Sequence, residues 1–144
     1  MKTEKGKEKY LQVKDKMGRC LMARLRGGTN WLRIEQGRWV GESREERICR
    51  VCDGEVEDES HFLRRCPEYK ELRDRAQEEL RKRTDWEDGK ESEEQWEKIF
   101  RGGKGTTEMI RIVMEFIKRA VAKRDRALGT NVYKSIRRFE MFSR

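Results

Sequence analysis

Cys49 and Cys52 stand two residues apart, His61 follows eight residues after Cys52, and Cys66 follows four after His61, giving C-x2-C-x8-H-x4-C. Thiolate sulfur and imidazole nitrogen are the donors that a tetrahedral Zn²⁺ takes, and this is zinc-ligand spacing. The eighteen residues from Cys49 to Cys66 hold the only histidine of the chain and three of its four cysteines, a clustering that composition alone does not produce. Four ligands close the coordination shell and leave no position for water, so the expected zinc is structural and not catalytic. Three thiolates around Zn²⁺ leave one net negative charge, which Arg47, Arg50, Arg64 and Arg65 would balance. Cys66 precedes Pro67, and a thiolate at the mouth of the helix expected there gains from the helix N-terminus. Cys20, beside Met17 and Leu21, reads as a small buried hydrophobe.

Positioning these ligands needs a turn and two helices. Residues 47–59 read as two short runs joined by Asp53-Gly54, a pair that supplies positive φ in a two-residue hairpin. Acidic residues before Phe62 and Leu63 predict a short helix over 58–65. Pro67 biases Cys66 away from helical angles and can open a helix at its first position. That helix is expected to reach about Arg83, with Tyr69, Leu72, Ala76 and Leu80 on one face and Arg81, Lys82 and Arg83 in its last turn.

Around this module the spacing predicts an amphipathic helix over 8–26, stopped by Gly27-Gly28 and weakened by Gly18. Residues 29–40, with a Gln36-Gly37 break, read as short extended pieces. Residues 84–91 form an acidic loop, and Ser92 with Gln95 predicts a capping box for a short helix carrying Trp96, Ile99 and Phe100. After the break at 102–105, Thr106 or Thr107 caps the longest predicted helix, over 108–128. Its apolar stripe comprises Met109, Ile110, Val113, Phe116, Ile117, Ala120 and Val121. Gly129 interrupts it and residues 130–142 resume a helical pattern. The expected fold is therefore mainly α with a small zinc-bound β-hairpin and a helical C-terminal region. Its organisation is an N-terminal helix (1–28), a zinc-binding module (29–83), an acidic linker with a short helix (84–106) and a basic helical tail (107–144).

Composition sets the scale: 144 residues, 44% charged and 34% hydrophobic, with a net charge of +8. So thin an apolar set must offset about 1–2 kcal/mol of backbone entropy per ordered residue, which makes a metal a natural second source of stability. No uncharged apolar run approaches the roughly 18 residues that span a bilayer, and the first residues carry no apolar signal segment. The expectation is no membrane partner, a nuclear or cytoplasmic location, and cysteines kept reduced. The charge is segregated. Residues 1–26 carry nine Lys/Arg and three acids, residues 118–138 eight and one, and residues 84–98 two and seven.

The runs Arg47-Ile48-Cys49-Arg50-Val51-Cys52, Glu57-Asp58-Glu59-Ser60-His61-Phe62-Leu63 and Cys66-Pro67-Glu68-Tyr69, with Arg73, resemble the zinc-binding domain on the C-terminal side of reverse transcriptases from non-LTR, LINE-type retrotransposons. Upstream, Arg24-Leu25-Arg26-Gly27 and Ile34-Glu35-Gln36-Gly37-Arg38 are similar to the approach to that site. The resemblance covers residues 20–75, about 40% of the chain. It implies Cys49, Cys52, His61 and Cys66 as zinc ligands in a module that helps a polymerase hold template RNA or target DNA. The polymerase's own paired aspartates, Tyr-x-Asp-Asp or Phe-x-Asp-Asp, do not occur here, and residues 86–144 do not match. Some relatives carry a Mg²⁺-dependent nuclease nearby; Asp88-Gly89-Lys90 is the nearest fragment, and the only proline, Pro67, is followed by Glu68 rather than aspartate.

Three function classes follow. As a nucleic-acid binder without catalysis of its own, the chain would place Lys118, Arg119, Lys123, Arg124, Arg126, Lys134, Arg137 and Arg138 on RNA or DNA phosphates, with Arg50, Arg64 and Arg65 as a second patch. Trp31 and Trp39 could stack bases, although the shortage of large apolar side chains favours the core for both. As an interaction module, the apolar helix over 108–128 would pack on a second copy or on a missing reverse-transcriptase domain. An enzyme is not expected: with the histidine assigned to metal there is no Ser-His or Cys-His pair, no H-E-x-x-H, and no Gly-Lys-Ser/Thr after the glycines at 102–105.

Overall fold

The computed structural model describes residues 9–86 and 106–136 together with Trp96 and Ile99. Its architecture is mainly helical. Four α-helices are seen among the described residues: α1 (Lys16–Gly27), α2 (Arg33–Trp39), α3 (Lys70–Arg83) and α4 (Thr107–Leu128).

α4 is the centre. Thr106 caps it by accepting from the Met109 backbone N–H at 3.2 Å, and Gly129 ends it in the left-handed region at φ 71°. Between these stops Ile110, Val113, Met114, Phe116, Ile117, Ala120 and Val121 are buried. α1 and α3 both pack against α4, so the apolar stripe that a second copy was expected to cover is covered by the chain itself. Leu21, Met22 and Leu25 come from α1, Ala76 and Leu80 from α3, and the core runs on through Phe62, Leu63 and Tyr69 to Ile136.

The N-terminal helix is shorter than its periodicity predicts. A 3-10 turn spans Lys9–Gln12, and α1 starts only after Asp15, whose side chain accepts from the Gly18 N–H at 2.9 Å. Gly18 thus sits in the first turn, where its lack of a side chain is needed: a Cβ there would lie 2.8 Å from Asp15 Oδ2 and 3.0 Å from Met114 Sδ of α4.

Residues 33–39 are helical and not extended. Asn30 Oδ1 accepts from the Leu32 N–H, and Glu57 accepts from the Arg33 N–H through Oε1 at 2.8 Å and from the Ile34 N–H through its carbonyl at 3.0 Å, so the first turn is secured from outside the helix. The glycine that suggested a break marks a close approach instead, since a Cβ on Gly37 would lie 2.6 Å from Arg47 Cγ. The segments flanking Asp53-Gly54 meet through one antiparallel bridge, Ile48 with Val56, and no strand ladder is present among the described residues.

The capping box at Ser92 and Gln95 lies outside the described residues. Trp96 and Ile99 are buried, and Trp96 meets Phe116 edge-on with ring centroids 5.4 Å apart. After α4, Asp125 accepts from the Val132 and Tyr133 N–H groups and starts a helical stretch at 132–136. No described helix is long and apolar enough to cross a membrane.

Candidate metal centre

Three local devices bring the four predicted ligands together. The first is the tight turn after Cys49. Asp53 takes φ 56°, its N–H donates to the Cys49 carbonyl at 2.8 Å, and the Gly54 N–H points at Cys52 Sγ at 3.3 Å. The positive φ therefore falls on Asp53, a residue that tolerates it, and not on the glycine after it. The second is a π-helical turn, His61–Arg65, whose first N–H is capped by Asp58 Oδ1 at 2.8 Å. The third is the extended Cys66, φ −63° and ψ 120°, forced by Pro67 as expected; a 3-10 turn (Pro67–Tyr69) then leads into α3.

The result is a cluster in which one ligand atom from each of Cys49, Cys52, His61 and Cys66 lies within 4.8 Å of every other. Cys49, His61 and Cys66 are buried and Cys52 is half-buried. His61 Nε2 is 3.4 Å from Cys52 Sγ, so this nitrogen faces the cluster. Nδ1 lies 3.3 Å from Glu55 Oε2 without a well-aligned hydrogen bond. A carboxylate on the far nitrogen is the arrangement that fixes the tautomer of a metal-ligating histidine and raises its basicity.

The electrostatics of the three sulfurs fit a cation. A hydrogen bond from Cys66 drives the Cys49 thiol down to about 3 against the cost of burial, with His61 and the N–H groups of Cys52 and Val51 adding to the effect. Cys66, as the donor to Cys49 and buried, is pushed up, although the Glu68 N–H at the helix mouth pulls the other way. Burial and the neighbouring Cys49 charge raise Cys52. Burial lowers His61, but Cys49 and Glu55 outweigh it and raise it. Thiolates this close repel one another, and a divalent cation among them is what favours the ionised form of all three. The four side chains form a site that can hold a metal ion.

Three residues that position the ligands had been given no role from the sequence. Arg73 donates from Nε to the Leu63 carbonyl at 3.0 Å and from Nη2 to the Cys66 carbonyl at 2.6 Å, clamping the segment between the last two ligands. Glu55 stands behind His61 and also pairs with Arg65 at 3.1 Å. Glu57 is fully buried: it accepts from Arg124 Nε and Nη2 at 2.8 and 2.9 Å and from the Arg33 N–H at 2.8 Å. Its backbone joins in too, donating to the Arg47 carbonyl and accepting from the Ile34 N–H. One carboxylate thereby ties the metal turn to α2 and α4. Sequence carried no signal for this pairing, because Glu57 and Arg124 are 67 residues apart.

The predicted cationic contacts divide sharply. Arg124 is 4% exposed and committed to Glu57, so it presents no phosphate-binding group at the surface. Lys118 bridges Asp15 and Glu115, Arg119 pairs with Glu115, Arg65 with Glu55 and Asp58, and Lys123 reaches the Glu68 carbonyl. Arg64 is half-buried and engaged. Arg50, Arg126 and Lys134 are exposed and carry no partner among the described residues. Arg137 and Arg138 lie outside those residues. The tryptophans divide as well: Trp31 is buried edge-on against Phe62, whereas Trp39 is 74% exposed.

Compared with known proteins, the chain matches no family model, and no curated protein or solved structure is detectably similar to it.

Proposed function

We propose that this chain is a structural-zinc module that binds RNA or DNA electrostatically, without catalysis of its own, of the kind found beside retrotransposon reverse transcriptases. The observation that carries the reading is the convergence of Cys49, Cys52, His61 and Cys66, delivered by a turn, a π-helical turn and a helix mouth into one largely buried cluster. Three thiolates with one imidazole at this spacing suit Zn²⁺, whose filled d shell accepts a protein-imposed tetrahedron. Four protein ligands leave no position for a substrate, which assigns the ion a structural task.

The polyanion-binding half of the reading rests on segregated charge. Arg50 beside the metal ligands, Arg126 in the last turn of α4 and Lys134 after it are exposed cations without carboxylate partners among the described residues, and Arg137 and Arg138 extend the same basic run in sequence. Lys118, Arg119 and Arg65 already have carboxylates and would have to exchange them for phosphates. Binding would therefore be modest and steeply salt-dependent, since each phosphate neutralised releases condensed counterions.

Elemental analysis of protein purified without chelator tests the first half, with one zinc per chain expected; a metal-free chain that still melts cooperatively overturns it. Fluorescence anisotropy with labelled RNA and DNA at two salt concentrations tests the second. Affinity that falls steeply with salt supports it, and an absence of binding at low salt overturns it.

A further inference from the structure

A groove of about 450 Å³ opens between the end of α1, the start of α2 and the 132–136 helical stretch, away from the metal ligands. Its lining includes Arg24, Gln36, Trp39, Asn131 and Ser135, with the buried Trp31 beneath. Trp39 is 74% exposed and the adjoining Val40 is 70% exposed, the two most exposed large apolar side chains described.

The backbone that carries this aromatic is fixed. The Val40 N–H bonds to the Gly37 carbonyl, Gly41 turns the chain at φ 78°, and Arg47 gathers the carbonyls of Glu42 and Ile34 through three N–H donors. Leaving an indole in water forgoes the burial that a chain short of apolar residues most needs, and the fold spends its rigidity on presenting it.

The chemistry of the wall indicates what the indole faces. Its one acid, Glu35, is paired with Arg38 from outside the lining, while its one cation, Arg24, has no carboxylate partner among the described residues, so the guanidinium of Arg24 is left to face an anion. Thr29, Asn131 and Ser135 offer hydroxyl and amide groups that bind no side chain among the described residues. Apolar partners would leave these groups unpaired; an unpaired base offers a flat π-face to Trp39, polar edges to Asn131 and Ser135, and a phosphate to Arg24. We infer that this groove seats a single-stranded nucleic-acid segment with one base stacked on Trp39. The inference rests on the nucleic-acid reading above and gives it a strand preference.

The test uses the full zinc-loaded chain with fluorescein-labelled U12, dT12 and a 12-base-pair duplex of mixed sequence. The single strands are expected to bind more tightly than the duplex and to quench tryptophan fluorescence. Trp39→Ala should weaken single-strand binding about five- to a hundredfold, the range that losing one stacked base implies, while Trp39→Phe retains most of it. Arg24→Ala should reduce the salt slope by about one phosphate. Because the Trp39 side chain stands in solvent, an unchanged thermal melt separates these effects from misfolding. Binding by the wild-type chain that Trp39→Ala leaves intact, or that favours the duplex, overturns the groove and spares the wider reading. No binding of any probe overturns both. A concentration-dependent dimer that dissociates in Trp39→Ala, with no single-strand preference, assigns the surface to a second copy and overturns the inference.

Discussion

The metal turn and the α1–α4 body are held together by different physics. In the body, α4 buries eight apolar residues with α1 and α3 packed against it, and removal of apolar surface from water supplies the driving force. Between Arg47 and Cys66 the chain offers a single β-bridge, a π-helical turn and many charged side chains, too little apolar surface to order itself. Under the proposed reading, ligation by the four converging donors orders it, and Phe62 and Leu63 together with the Glu57–Arg124 pair dock it to the body. A chain with a thin core can thus divide its stability between burial and ligation, provided a satisfied polar contact joins the two.

The comparison is broken most directly at the ligands. His61→Ala is expected to lose the ion and melt the region around residues 47–69, because structural zinc contributes folding free energy on the order of 10 kcal/mol apparent in small fingers. Metal content by mass spectrometry and the thermal melt check this; acidification should do the same, since protons compete with the ion for sulfur and imidazole. The joint comes next. Glu57→Gln leaves Arg124 charged and buried without its counterion, at a cost of about 3–5 kcal/mol in a denaturant melt. Replacing both by apolar residues, Glu57→Leu with Arg124→Met, should cost less than Glu57→Gln, the remainder being the Arg33 N–H left without its acceptor, about 1–3 kcal/mol. If the single changes prove neutral, the turn and the body are independent after all.

Within the body, Gly18→Ala should cost about 1–3 kcal/mol by pressing a Cβ on Asp15 and Met114. Asp15→Ala removes a helix cap, worth about 1 kcal/mol, and leaves Lys118 with Glu115 alone. Burial alone would raise the Asp15 carboxyl, but hydrogen bonds from Lys118 and the Gly18 N–H, with the Lys118 and Arg19 charges, hold it below its usual 3.8. A depressed acid stabilises the fold fully above its unfolded value and loses that contribution as pH falls through the lower folded value. The wild-type protein should therefore lose stability relative to Asp15→Ala only in strong acid, below about pH 4. Smallest of all is Arg65→Ala, which removes exposed pairs to Glu55 and Asp58 and should change the melt by less than about 1 kcal/mol.

Much of this was legible in the residues. The C-x2-C-x8-H-x4-C spacing named the four side chains that the fold gathers, because ligand chemistry restricts residue type and short loops restrict spacing. α3 and α4 were legible for a similar reason: their caps and apolar periods are local, from Pro67 to Arg83 and from Thr106 to Gly129. The helix at 33–39 was not legible, since the N–H groups of its first turn are taken by Glu57, which arrives from another segment, and its glycine is explained by the close approach of Glu42 and Arg47. The basic tail was legible only as charge. Charge along the chain shows that Lys118, Arg119 and Arg124 are cations, but not that each already faces a carboxylate.

By itself the sequence determined the donor set, the two long helices and the overall excess of positive charge, all of which depend on residue type and near neighbours. Tertiary structure alone decided that Trp31 is covered and Trp39 is not, that α4 spends its apolar face on its own chain, and that Glu57 finds Arg124 across 67 residues. The reason is physical. Ligation, capping and helical periodicity are written within a few turns of chain, whereas burial and charge pairing depend on what else arrives at the same place, and no local pattern encodes that.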